Sequence, residues 1–186
     1  MSRMKTMAVG LAALLLGGIG VRLAAGSAEP YTRIGMDAYQ NFLTNWDDRA
    51  EPVRYALIRT PAEYDQLYQP AAIGGDRRPF HPPAELYRDS QILVVARVLR
   101  MPPSALDPAK ADAIFEVEGL TAEAGALTLR YRLNRPRAAD DAASFKVVLA
   151  LRVPRAAYRT VTIIEDGKPV GRLAPAEGRW AVPTPK

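Results

Sequence analysis

The chain has 186 residues, 48% of them hydrophobic and 24% charged, with a formal net charge of +5 and no cysteine. That composition excludes a disordered chain, which lacks the apolar surface to offset its ordering entropy. The missing cysteine excludes a disulfide framework, thiolate metal ligation and a cysteine nucleophile.

The chain opens on a three-part export pattern. Residues 1–7 carry Arg3 and Lys5, residues 8–21 are an unbroken apolar run, and Ala24-Ala25-Gly26-Ser27-Ala28 supplies small side chains for cleavage after Gly26 or after Ala28. This predicts a cleaved secretory signal over 1–28 and a periplasmic or secreted protein. An apolar run of that length rises about 21 Å as a helix, short of the roughly 30 Å hydrocarbon core, and no later stretch reaches spanning length. No membrane span is expected after cleavage. The segment holds Arg3, Lys5 and Arg22 and no acid, so the mature chain keeps 22 bases against 20 acids. Bases and acids alternate along it rather than gathering into a patch, so no nucleic-acid partner is expected.

Residues 29–173 read as a single β-rich domain. In the lead-in 29–54, Met36, Tyr39, Phe42, Leu43 and Trp46 recur at helical spacing and predict an amphipathic helix lying on a sheet. Val53–Arg59 follows as a short strand. Thr60-Pro61-Ala62-Glu63 then starts a helix, with Thr60 as cap, Pro61 at the first helical position and Glu63 reaching back to the Thr60 amide. Pro70 ends it. Residues 71–89, with Gly74-Gly75 and Pro82-Pro83, read as a long irregular loop.

Gln91–Leu99 is a nearly continuous apolar run, the pattern of a central strand covered on both faces. Ala113–Glu118 and Ala126–Leu133 alternate and read as a hairpin pair joined across Gly119–Gly125. Ser144–Val153 buries Val147, Leu149, Leu151 and Val153 on one face, and Pro154 closes it. Tyr158–Glu165 turns at Asp166-Gly167, a dipeptide that tolerates the positive φ angles of a type I′ turn, with Val170–Leu173 returning as a short edge strand. Residues 174–186, with Pro175, Pro183 and Pro185, read as a loose tail tethered by Trp180. The expected fold is α+β: a mostly antiparallel β-sheet of about five to seven strands with one or two covering helices.

Few residues suggest chemistry. His81 is the single histidine, and Pro82-Pro83 prevents a helical metal pair with Glu85. Ser144 and Lys146 share a strand face, which a Ser-Lys acyl-transfer dyad would need together with a desolvated lysine. Asp47-Asp48 and Asp140-Asp141 lack the alternating spacing of a calcium loop. Gly74-Gly75 matches no phosphate-binding pattern. No catalytic, cofactor-binding or metal-ligating residue is assigned on these grounds, and no cofactor is expected. Arg130/Arg132, Lys146/Arg152 and Arg155/Arg159 would form a basic patch if neighbouring strands aligned them, or else a solvated face with Glu116 and Glu118 as cross-strand partners.

Ile58-Arg59-Thr60-Pro61-Ala62-Glu63-Tyr64, Ile92–Ala96, Leu127–Tyr131, Val147–Pro154 and Val161–Lys168 together resemble the C-terminal domain of the secreted protease-complex subunit PrcB family. The family carries a glycine-glycine-tyrosine segment after the main strand, where this chain has Met101-Pro102-Pro103-Ser104. The resemblance implies a β-rich accessory domain and transfers no site residues. The expected function is that of an exported non-catalytic binding or accessory protein whose partner is a protein or a cell-envelope component. A small secreted hydrolase is the alternative, and an envelope- or polysaccharide-associated module is a third reading.

Overall fold

The computed structural model describes residues 27–34, 41–43, 46–70, 82–106, 112–137, 140–176 and 179–181. Strands dominate. In chain order they are β1 (Ser27–Ala28), β2 (Thr32–Ile34), β3 (Asn41–Leu43), β4 (Val53–Ile58), β5 (Tyr68–Pro70), β6 (Ser90–Met101), β7 (Phe115–Glu123), β8 (Ala126–Leu133), β9 (Ala143–Pro154), β10 (Thr160–Glu165), β11 (Lys168–Ala176) and β12 (Arg179–Ala181). Two short helices, α1 (Pro61–Leu67) and α2 (Leu86–Asp89), lie between β4 and β6.

The strands form two packed sheets rather than one. A six-stranded sheet has the order β1-β7-β8-β10-β11-β12, and a four-stranded sheet has the order β2-β9-β6-β4; β3 and β5 pair separately. Every pairing is antiparallel except β8 with β10. Strand alternation explains the layers. Leu57, Leu93, Val95, Leu149 and Leu151 of the smaller sheet meet Leu127, Leu129, Tyr131, Val161, Ile163 and Leu173 of the larger, and this is the main core. The opposite face of the smaller sheet, with Ile58, Ile92, Val94 and Ala150, packs under Tyr64, Leu67, Tyr68 and Tyr87 of the helical layer. β6 is therefore covered on both faces, and its apolar run is continuous for that reason.

Helix α1 starts as its sequence predicts: the Thr60 hydroxyl oxygen accepts from the Glu63 amide at 3.1 Å. The Glu63 carboxylate reaches one residue further back than expected and accepts from the Arg59 amide. The helix expected on Met36, Tyr39, Phe42, Leu43 and Trp46 within the lead-in 29–54 is corrected at its described residues. Phe42 and Leu43 sit in β3 opposite Gln69 and Tyr68, because ladder pairing there overrides helix-like spacing. Trp46 is buried, with its indole N–H donating to the Glu51 carbonyl; Met36 and Tyr39 lie outside the described residues. The covers on the sheet are α1 and α2, the latter falling inside the stretch expected to be loop.

Residues 174–176, expected to begin a tail, continue β11 and pair with β12, with Pro175 opposite Trp180. The β7–β8 hairpin turns at Ala124-Gly125 instead of across Gly119–Gly125, because Gly119 is absorbed at a bulge between Val117 and Gly119. Both two-residue hairpin turns have positive φ throughout: 48° and 80° at Ala124 and Gly125, 50° and 75° at Asp166 and Gly167. Alanine is the least suited of these four residues, because its Cβ crowds the backbone in the left-handed region. Ala124→Asn is expected to stabilise the fold by about 1 kcal/mol, measured as a rise in denaturant midpoint at constant slope.

The two sides of the sandwich are closed differently. On one side β4 lies against β11 and β12. There the Tyr55 ring lies against Gly171, whose position has no room for a Cβ, and the Tyr55 hydroxyl reaches the Val170 carbonyl at 3.4 Å. On the other side the first described residues run along both sheets. β1 pairs with β7, the Glu29 amide donates to the Leu120 carbonyl, and within a few residues β2 pairs with β9.

Candidate functional site

Two polar constellations stand out among the described residues, one inside the sandwich and one at its edge. The inner one grows from alternation. Arg97 of β6, Glu165 of β10 and Tyr131 of β8 all fall on core-facing positions, so they meet between the sheets. The Arg97 guanidinium donates to Glu165 Oε2, and the Tyr131 hydroxyl donates to the same oxygen at 2.5 Å. Arg135 approaches the other carboxylate oxygen at 3.8 Å from a mostly exposed position. Side-chain exposure is 13% for Arg97 and 8% for Glu165, so both charges are largely out of water and each depends on the other.

Burial pushes the Tyr131 hydroxyl well above the usual tyrosine range, and its hydrogen bond to Glu165 adds to the effect. Burial works against the Arg97 charge, but the hydrogen bond to Tyr131 and the charge of Glu165 outweigh it and raise its pKa. One oxygen of the Glu165 carboxylate is held by Arg97 and Tyr131 together, and the other faces Arg135. This cluster fastens one sheet to the other.

The outer constellation is the short strand β2, which ends the four-stranded sheet among the described residues. Arg33 shares the inward face with Leu151, and its guanidinium donates to the Phe115 carbonyl of β7 at 2.9 Å, bridging the two sheets. Thr32 and Ile34 face the helical layer beside Arg152 and Ala150. A cleft opens on each face of this strand. One, of about 470 Å³, lies at the mouth of the sandwich and is lined by Tyr31, Arg33, Phe115, Glu116, Val117 and Asn134. The other, of about 580 Å³, is lined by Thr32, Ile34, Pro83, Glu85, Leu86 and Arg152. Each combines apolar lining with a few charged groups, Arg33 and Glu116 in the first and Arg33, Glu85 and Arg152 in the second, the usual make-up of a binding cleft.

The candidate catalytic and ligand-binding residues of the sequence do not converge on either constellation. His81 and Gly74-Gly75 lie outside the described residues. Ser144 and Lys146 share a face of β9, but Lys146 pairs with Asp48 at 3.4 Å and lies 5.0 Å from the centre of the Trp46 ring. Its ammonium is therefore partnered and half in water, the opposite of a desolvated base. Asp47 caps a turn by accepting from the Arg49 and Ala50 amides, and Asp140 and Asp141 are exposed in a turn. No group of three His, Cys, Asp or Glu side chains suited to a metal occurs among the described residues.

The basic side chains are dispersed rather than aligned. Arg132 pairs with Glu118 at 2.6 Å, Arg130 reaches the Thr121 hydroxyl, and Arg152 donates to Ser90. Arg155 clips the Arg59 and Tyr87 carbonyls, and Arg159 the Ala124 carbonyl. Of these basic residues only Arg152 lines a cleft. The sequence pattern does not disclose Arg33 and β2, because Tyr31–Ile34 is too short to show a period. Nor does it disclose the Arg97–Glu165 pair, because Arg97 sits within an apolar run and Glu165 closes one. No family model, no curated protein and no solved structure matches the chain.

Proposed function

We propose that this is an exported, non-catalytic binding or accessory protein that takes an extended segment of a partner protein or cell-envelope component along β2. One observation carries the reading: an edge strand with a cleft on each of its faces. An added strand forms main-chain hydrogen bonds to such an edge, and its successive side chains point to opposite faces. The clefts by Phe115–Val117 and by Ile34–Leu86 lie where those side chains would go. Glu165, Lys146 and the arginines of β8 and β9 are engaged with other side chains, which favours binding over turnover.

A photo-crosslinking residue at Tyr31 tests this against a control at Val170. The two have nearly equal exposure, 39% and 40%, but sit at different edges of the sandwich. The expected result in the native compartment is a discrete adduct from position 31 that disappears in an Arg33→Glu background, and no adduct from position 170. Equal capture at both positions, or turnover of ester, peptide, phosphoester or glycoside substrates by the wild-type protein, would overturn the proposal.

A further inference from the structure

The sequence leaves two bonds open to the processing protease, Gly26–Ser27 and Ala28–Glu29, since both have small residues at the positions one and three before the cut. The fold separates them. Ser27 and Ala28 are β1, the strand that pairs with the outer edge of β7, Ser27 opposite Ala122 and Ala28 opposite Thr121. The ladder continues into the next residue, where the Glu29 amide donates to the Leu120 carbonyl at 2.9 Å. Three residues later the same segment enters β2 and pairs with β9 of the other sheet. The segment from Ser27 to Ile34 is thus one strap that ties the six-stranded sheet to the four-stranded sheet on the side away from Tyr55.

Cutting at Ala28–Glu29 would remove the whole of β1. It would leave the β7 edge without its partner, and an unpaired edge is a template for association with another chain. Cutting at Gly26–Ser27 keeps every one of these pairings.

We infer that the chain is processed at Gly26–Ser27 and that the new amino terminus is built into the fold as its first strand. This inference rests on the export reading, and its test separates the two. The full chain is expressed with export in a bacterial host, and the folded product is read by intact mass and N-terminal sequencing. A product beginning at Ser27 is expected. A product beginning at Glu29 overturns this inference and leaves export standing, whereas an intact product beginning at Met1 overturns both.

Two variants and one stability measurement complete the test. Ala24→Leu blocks only the Gly26–Ser27 cut, and Ala28→Leu blocks only the Ala28–Glu29 cut, because each places a bulky side chain at a required small position. Processing is expected to be lost or displaced in the first and unchanged in the second; the reverse pattern contradicts the inference. Proteins made directly from Ser27 and from Glu29 are expected to differ in Tm by about 2–5 °C in favour of the longer, the effect of a few ladder hydrogen bonds in a domain of this size. Equal Tm values would show that β1 is not part of the folded unit and would overturn the assignment of the new terminus to the fold.

Discussion

The Glu165→Ala variant is expected to lose about 3–5 kcal/mol of stability, seen as a large drop in urea midpoint. Alanine there removes the acceptor of both the Arg97 guanidinium and the Tyr131 hydroxyl, leaving a charge and a polar group between the sheets without their partner. A loss of that size is a large part of the roughly 5–15 kcal/mol typical of a domain, so the variant is expected to be partly unfolded at physiological temperature. The triple variant Arg97→Met, Tyr131→Phe, Glu165→Leu, which also removes the hydroxyl that would otherwise be orphaned, distinguishes a cluster that stabilises from one that is only costly to break. It is expected to recover most of the loss, since apolar residues of similar size replace buried ion pairs with little net effect. A Glu165→Ala stability within about 1 kcal/mol of wild type would mean that water reaches this cluster freely, contrary to its burial.

Gly171→Ala is expected to cost about 1–3 kcal/mol, through overpacking. A Cβ at this position would sit 2.5 Å from Cε2 of Tyr55, so the ring must leave its place or the β11 backbone must shift. Pairing the change with Tyr55→Ala identifies the cause. If the clash is with the ring, the two changes are expected to be non-additive by more than about 0.5 kcal/mol, because the second removes what the first collides with. Additive losses would place the effect of Gly171→Ala somewhere other than the Tyr55 contact.

The strands whose environment is uniform along their length are legible in the sequence. β6 reads correctly because both its faces are buried, and β8 and β9 because one face is buried throughout. The cap of α1 and the Asp166-Gly167 turn are legible because they depend on neighbours in the chain. Division of the strands between two sheets is not, since alternation says that a face is buried and not what covers it. The Arg97–Glu165 pair spans 68 positions, beyond any local pattern. A usable signal exists nonetheless. Both residues occupy inward positions by parity, Arg97 in line with Leu93 and Val95, and Glu165 in line with Val161 and Ile163, so each announces a buried charge in need of a partner. The candidate site is the least legible part, because β2 gains its meaning from clefts formed by residues as far away as Phe115 and Arg152.

β8 and β10 are neighbours in the larger sheet and run parallel, yet the strand between them in the chain, β9, lies in the middle of the smaller sheet. The chain is therefore stitched through both layers, and neither sheet can be assembled from a contiguous piece of it. β10 finds its place beside β8 only after the intervening stretch has crossed to the other layer and returned, which commits folding to closing large loops before those pairings are rewarded. Such a topology makes for slow and concerted acquisition of structure.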